Sequence, residues 1–475
     1  MTPIAALSPK PAGTSLPSNP NRHCLLPPPL TSCCSFIILQ LSKEYGPVFS
    51  FHTGPQQVVV LAGYETIKEA LVNQADAFSE RPQIPIHEDC SNGYGIIFSH
   101  GENWKVMRRF AISSLQEHGM GKKTIEDKIA EECHFLRQKF ESFEGKPFDP
   151  IAVASAAAGS IITTLILGKR YGYEDHTFVR LLNLVKESNR VLAHPLVTVY
   201  NLFPSLGSFV WAHKEVLRKA KEMKDSLQHI IREHLKDLDE NNKRSLADSF
   251  FIRQQEEEKN KINGFFHNSN LVTLVNHLFC SGMAPVSATL CWALLLMIRY
   301  PEIQNKARKE ITEVIGSSQP RIEHQSQLPY TNAVIHEIQR FADIYPVGMP
   351  HETTTDVTLK GYFIPKGTHI VPLLYSVLYD ESRWEKPFEF YPEHFLDSEG
   401  KFVERDAFLP FSAGRRMCPG KSLAKMEIFL FFTSLLQQFI FQPAPGISSE
   451  DVDLTPMAGF SSTPLPFKLC ALLRS

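Results

Sequence analysis

FLPFSAGRRMCPG, residues Phe408–Gly420, is the most informative stretch of this 475-residue chain. It places Phe411, Gly414, Arg416, Cys418 and Gly420 in the pattern F-x-x-G-x-R-x-C-x-G. A cysteine that serves as a thiolate needs its negative charge stabilised. The backbone N–H groups of a tight loop and the positive end of a following helix can both do this. Lys421–Gln437 is expected to supply that helix, with Leu423, Met426, Leu430 and Thr433 at helical spacing. Gly414 and Gly420 allow sharp bends and a close backbone approach to a bound group. Phe411 can shield the sulfur from water, and Arg416 is a forked donor suited to a carboxylate.

The remaining cysteines do not join this pattern. The nine, at Cys24, Cys33, Cys34, Cys90, Cys133, Cys280, Cys291, Cys418 and Cys470, are odd in number, scattered, and contain no Cys-x-x-Cys pair. That argues against a disulfide framework or a structural zinc site and for a reducing compartment. A net charge of −2 gives no reason to expect nucleic acid, which needs a clustered basic surface. The chain is 43% hydrophobic, with no long linker, mid-chain charge block or repeat, so one large domain is expected.

Residues 1–37 are set apart as a Pro/Ser-rich segment, with Pro27, Pro28 and Pro29 in a row. This composition reads as extended or disordered. The most apolar run nearby, Cys34–Leu41, is shorter than the ~20 residues of a membrane span, so no anchor is recognised. Residues 38–475 form the expected domain. Gly46–His52 and Gln57–Ala62 read as a hairpin around Thr53-Gly54-Pro55. Periodicity predicts helices over Ile125–Phe140, Phe178–Arg190, Lys214–Leu238 and Leu271–Tyr300. A second β patch spans Val357–Val371, with turn signals at Gly361 and Pro365-Lys366-Gly367. The fold class is mainly α with a minor β part. Leu290–Ile298 is apolar but too short for a membrane span, and reads as a buried core helix.

The decamer ending at Gly420 resembles the cysteine-ligand loop of the cytochromes P-450, and residues 38–475 are similar to the animal microsomal family-2 branch. The resemblance implies the cytochrome P-450 fold, with haem b between a long distal helix and the Cys418 loop. Cys418 would be the iron ligand. Trp104 and Arg108, which share a helical face at i, i+4, would bind one propionate together with Arg416. His351, after Val347-Gly348-Met349-Pro350, would reach the other. Glu337 and Arg340 resemble the family's buried Glu–Arg pair, with His394 as their third partner and a structural role. Spacing alone is a weak signal, because Glu187…Arg190 and Glu215…Arg218 repeat it on what read as solvated helix faces.

On the distal helix the family shows Ala-Gly-x-Asp/Glu-Thr-Thr, whereas this chain has Ser281-Gly282-Met283-Ala284-Pro285-Val286. Gly282 matches and is expected to leave room beside the iron. Ala284 and Pro285 replace the acid and alcohol that organise proton delivery, a positioned role worth ~10²–10⁴-fold. Ser281, Ser287 or water are the available substitutes. Three functions follow: an NADPH-dependent monooxygenase of apolar small molecules (fatty acids, steroids or xenobiotics), a peroxide isomerase or dehydratase, and a haem-binding protein with impaired turnover. Whole-chain similarity favours the first.

The resemblance also implies NADPH-cytochrome P-450 reductase and cytochrome b5 as partners and an endoplasmic reticulum membrane location. Arg109, Lys122, Lys123, Arg415, Lys421 and Lys425 are expected to form a basic docking patch. Pro419 and Lys421 depart from the Leu and Glu common in this branch. The substrate pocket is expected to use Gly95–Ser99, Leu192–Phe203, Leu278–Val286, Val347–Pro350 and Gly459–Ser462, including Ile96, Ile97, Phe98, Phe279 and Phe460. Such apolar walls suit hydrophobic ligands.

Overall fold

The structure is a computed structural model and describes residues 32–457, 459 and 461–474. Its first described helix, Ser32–Tyr45, crosses the boundary expected at residue 38. The expectation of disorder over residues 1–31 lies outside the described residues, as do Cys24 and the pocket residue Phe460.

The core is built on the helix Asn268–Arg299, called the distal helix below. From Val286 to Ile298 every side chain is buried, so this helix is apolar all round because it is surrounded. His267 caps its start by accepting from the Asn270 N–H. It ends before Tyr300-Pro301, since the residue preceding a proline is pushed out of helical geometry. The helix Pro150–Leu167, capped by Asp149, packs across it. Both are long and apolar enough to cross a bilayer, but 78% of each apolar window is buried inside the fold. They are core helices, as Leu290–Ile298 suggested.

The β part is a four-stranded sheet in the order β1 (Val48–Thr53), β2 (Gln56–Ala62), β6 (His369–Leu373), β3 (His351–Glu352). β1 and β2 form the expected hairpin, with Thr53 opposite Gln56 across the two-residue turn Gly54-Pro55. β4 (Val357–Leu359) and β5 (Tyr362–Ile364) make a second hairpin. Its turn, Lys360-Gly361, has positive φ at both positions (50° and 83°), which matches the natural strand twist.

The helix Pro329–Ala342 locks sheet and core together. Arg340 uses all five of its N–H groups. Nε and Nη2 each donate to Glu337 at 2.7 Å, Nη1 donates to the Leu378 and Pro387 carbonyls, and Nη2 also donates to Glu389 O. Glu337 further accepts from the Tyr391 N–H and from His394 Nδ1. His394 Nε2 accepts from the Lys386 N–H, so this imidazole is held as the neutral tautomer protonated on Nδ1. The decoys behave differently: Glu215–Arg218 is a surface pair, and Glu187 pairs with Lys219 instead of Arg190.

Candidate active site

Cys418 lies at the end of a loop closed by its own N–H donating to the Phe411 carbonyl. Two residues later Gly420 caps the helix Lys421–Gln438, called the proximal helix below. Burial pushes the Cys418 thiol above its ordinary value, while the Gly420 N–H, Arg108 and Lys421 pull it the other way. These are the influences that favour a thiolate once a cation is present to take the sulfur.

The glycines act differently from expectation. Gly414 sits at φ +75°, and a Cβ there would lie 1.9 Å from the Leu71 carbonyl oxygen. Its bare face is therefore turned to protein backbone. Leu71 belongs to a short π-helical turn, Glu69–Asn73, against which the loop is wedged. Gly414→Ala should cost about 1–2 kcal/mol for the left-handed backbone, with the clash in addition. The expected result is a lower urea midpoint and a reduced haem-to-protein ratio; wild-type values for both would refute this account. Gly420 has an ordinary φ of −88°, and a Cβ on it would come no nearer than 3.9 Å to Cys418 Sγ. It contributes its N–H and position, with no conformational demand for glycine.

Beside the loop, three guanidiniums crowd together. Arg416 donates from Nε to Ser79 O, and from Nη2 to Glu80 Oε1 and Ser99 O. Most of its fork thus clamps the loop to residues 79–99, and only Nη1 is left for a ligand. Its guanidinium stacks on the Trp104 ring at 3.6 Å. Arg108, one turn after Trp104, donates to the Met417 carbonyl. The third is Arg81, which donates to the Met349 and Pro350 carbonyls. Sequence reasoning missed Arg81, because an Arg-Pro step in a loop carries no periodic mark.

Burial and mutual repulsion drive Arg81 and Arg416 well below the usual arginine range. Glu80 is the acid paired with Arg416. Burial opposes its ionisation, but hydrogen bonds from His100 and the Arg81 and Gly101 N–H groups, with Arg416 nearby, hold it down to about 2. One carboxylate against three guanidiniums leaves positive charge uncompensated. Arg81 Nε, Arg416 Nη1 and Trp104 Nε1 are also buried without partners among the described residues. Buried donors of this kind require an acceptor, and the two carboxylates of haem b supply that chemistry, so the residues fit the group. His351 donates from Nδ1 to Phe78 O at 2.7 Å, while burial and Arg81 keep it far below its ordinary value. A carboxylate at its Nε2 would offset that repulsion and favour the imidazolium.

On the other face the distal helix stays continuous through Pro285. Ser281, Ala284 and Pro285 share one face and keep accessible surface, whereas Met283 and Val286 are buried. Pro285 has no N–H to return to the Ser281 carbonyl. Ser287 and Thr289 turn their hydroxyls back to the Ala284 and Pro285 carbonyls. Gly282 corrects a further expectation. A Cβ there would meet Ile162 at 2.7 Å, so its missing side chain accommodates the helix Pro150–Leu167 and does not clear space at the iron.

The expected basic patch is weaker than six residues suggested. Arg415 is paired with Asp76 and Lys425 with Glu404, which cancels part of the charge.

The cytochrome P450 family model matches residues 34–471. Cytochrome P450 2K6 of Danio rerio is 48% identical over 439 residues, covering 92% of this chain and 87% of that one. Cytochrome P450 2K1 of Oncorhynchus mykiss is 47% identical over 438 residues, with the same coverage of each. Cytochrome P450 2F2 of Mus musculus is 41% identical over 440 residues, covering 92% of this chain and 89% of that one. With a thiolate-stabilising loop, a cradle of three arginines and a buried Glu–Arg–His lock already in place, the chain belongs to the cytochrome P450 family.

Proposed function

We propose that this protein is a monooxygenase whose distal face delivers protons poorly, acting on apolar small molecules such as fatty acids, steroids or xenobiotics. Membership of the family makes it a haem-thiolate monooxygenase that uses NADPH through cytochrome P450 reductase at the endoplasmic reticulum membrane. The observation that carries the finer reading is the face formed by Ser281, Ala284 and Pro285, which presents one hydroxyl and no acid. When bound, haem supplies an iron at which O₂ is reduced and one oxygen atom is transferred to substrate. Cys418 would bind that group through its sulfur, with the Gly420 N–H stabilising the thiolate. Arg81, Trp104, Arg108, Arg416 and His351 would orient its carboxylates. Ile96, Phe98, Phe279 and Val347 are buried apolar side chains that would keep water from a bound substrate. On the face of Ser281, Ala284 and Pro285, the Ser281 hydroxyl and water would pass protons.

Among the described residues, exposed Val199, Phe203, Phe209 and Trp211 cluster between residues 195 and 211. Leu202 of the same stretch packs on the β1–β2 turn. Such a patch suits the apolar layer of a membrane surface.

Restoring acid and alcohol together, with Ala284→Asp and Pro285→Thr, should raise product formed per NADPH consumed about tenfold, a part of the ~10²–10⁴-fold that a positioned proton donor supplies. Labelled O₂ would identify the product oxygen. Unchanged leakage of reduced oxygen from the double variant would contradict poor proton delivery. The same two residues favour a second reading, rearrangement of organic peroxides, which requires no proton relay. Turnover of a lipid hydroperoxide without NADPH would support it.

A further inference from the structure

Two partly buried histidines, His277 on the distal helix and His87 on the helix Pro85–Ser91, have no role in the site so far. His277 lies on the distal helix one turn before Ser281, and about 10–12 Å along the axis from Ala284 and Pro285. Its Nδ1 accepts from the Ile96 N–H at 3.2 Å, so the proton sits on Nε2. Among the described residues that Nε2–H has no acceptor. Two turns earlier on the helix, Asn270 accepts from the Gly95 N–H at 2.8 Å and donates to Asn103 and Phe265. The loop is thereby pinned to the helix at two points. Gly95 is needed for this, since a Cβ there would lie 2.3 Å from His277 Nδ1.

His87, on the helix Pro85–Ser91, stacks face to face on Phe98, with ring centroids 3.8 Å apart. Neither of its ring nitrogens has a partner among the described residues. Both imidazoles lie deep, and burial pushes each down to about 4, with His277 adding to the effect at His87. Yet both keep accessible surface while Ile86, Phe98, Leu274 and Leu278 around them are buried. Accessible surface at that depth faces interior space. His336 shows the contrasting case of a core histidine, almost fully enclosed with Nδ1 bonded to Asn332 O. A donor left open in an apolar cavity carries a desolvation cost that a ligand acceptor removes.

We propose that His87 and His277 form a polar subsite that takes the oxygen acceptor, carboxylate or carbonyl, of an otherwise apolar substrate. The subsite holds that end of the molecule two helical turns from the position where oxidation occurs. It rests on the monooxygenase reading, because it assigns this cavity to substrate.

Calorimetric titration of the holoprotein with dodecanoic acid, methyl dodecanoate and dodecane tests it without requiring turnover. Acid or ester should bind about tenfold tighter than the alkane, the value of one well-made buried hydrogen bond. His87→Phe, which keeps the stack on Phe98, and His277→Phe should each erase most of that preference while dodecane binding changes less than about twofold. His277→Gln should retain it, since its amide oxygen can accept from Ile96 while its NH₂ donates to the ligand. Preference for acid over ester would assign the site to a carboxylate, and equal binding to a carbonyl; either supports the proposal. A preference that survives both Phe variants, or an equal loss for all three ligands, would overturn it. Binding with the expected preference but no NADPH-dependent product would leave the subsite standing and overturn the monooxygenase reading.

Discussion

Arg340→Ala should destabilise the protein by about 3–5 kcal/mol, the usual cost of breaking a buried ion pair from one side. The loss leaves Glu337 fully buried, facing only the Tyr391 N–H and His394, and strips three carbonyls of their donor. Against a total stability of about 5–15 kcal/mol, such a loss removes at least about a fifth of the folding margin and should lower the urea midpoint in proportion. Arg218→Ala is the matched control, because it removes an i, i+3 pair on an exposed helix face worth less than about 1 kcal/mol. Urea unfolding of both variants decides the matter. Equal midpoints would mean that the Glu337–Arg340–His394 lock contributes no more than a surface pair.

Cys418→Ser should abolish NADPH-dependent oxidation and the red-shifted Soret band of the reduced, CO-treated protein. Serine preserves the size of the side chain and its place beside the Gly420 N–H, but its hydroxyl does not ionise as a thiol does. The fold should survive, because the loop is closed by the Cys418 N–H to Phe411 carbonyl bond, which serine retains. Cys291→Ala is the control: Cys291 is buried in the apolar core, so its loss should lower stability and leave the band in place. A Cys418→Ser protein that kept the band would remove Cys418 as the iron ligand.

Much of this site was legible because its partners are close in the chain. The Cys418 loop and its helix, Trp104 with Arg108, and Glu337 with Arg340 are local spacings, which the family resemblance separated from decoys such as Glu215 with Arg218. The departure at Ala284 and Pro285 was equally plain. Contacts between distant segments were not legible. Gly414 is needed because of Leu71, Gly282 because of Ile162, and Gly95 because of His277. Arg416 has the right chemistry for a propionate, but most of its donors are committed to Ser79, Glu80 and Ser99. Arg81 completes the cradle without any mark in its own neighbourhood.

Short motifs therefore carried the resemblance to the family, the expectation of Cys418 as the iron ligand and the departure at Ala284 and Pro285, since each depends on which residue types stand a few positions apart. Tertiary packing decided which buried donors are left unmatched and which glycines are indispensable. Those properties depend on which distant backbone or side chain arrives at the same point in space, and no periodicity along the chain encodes that.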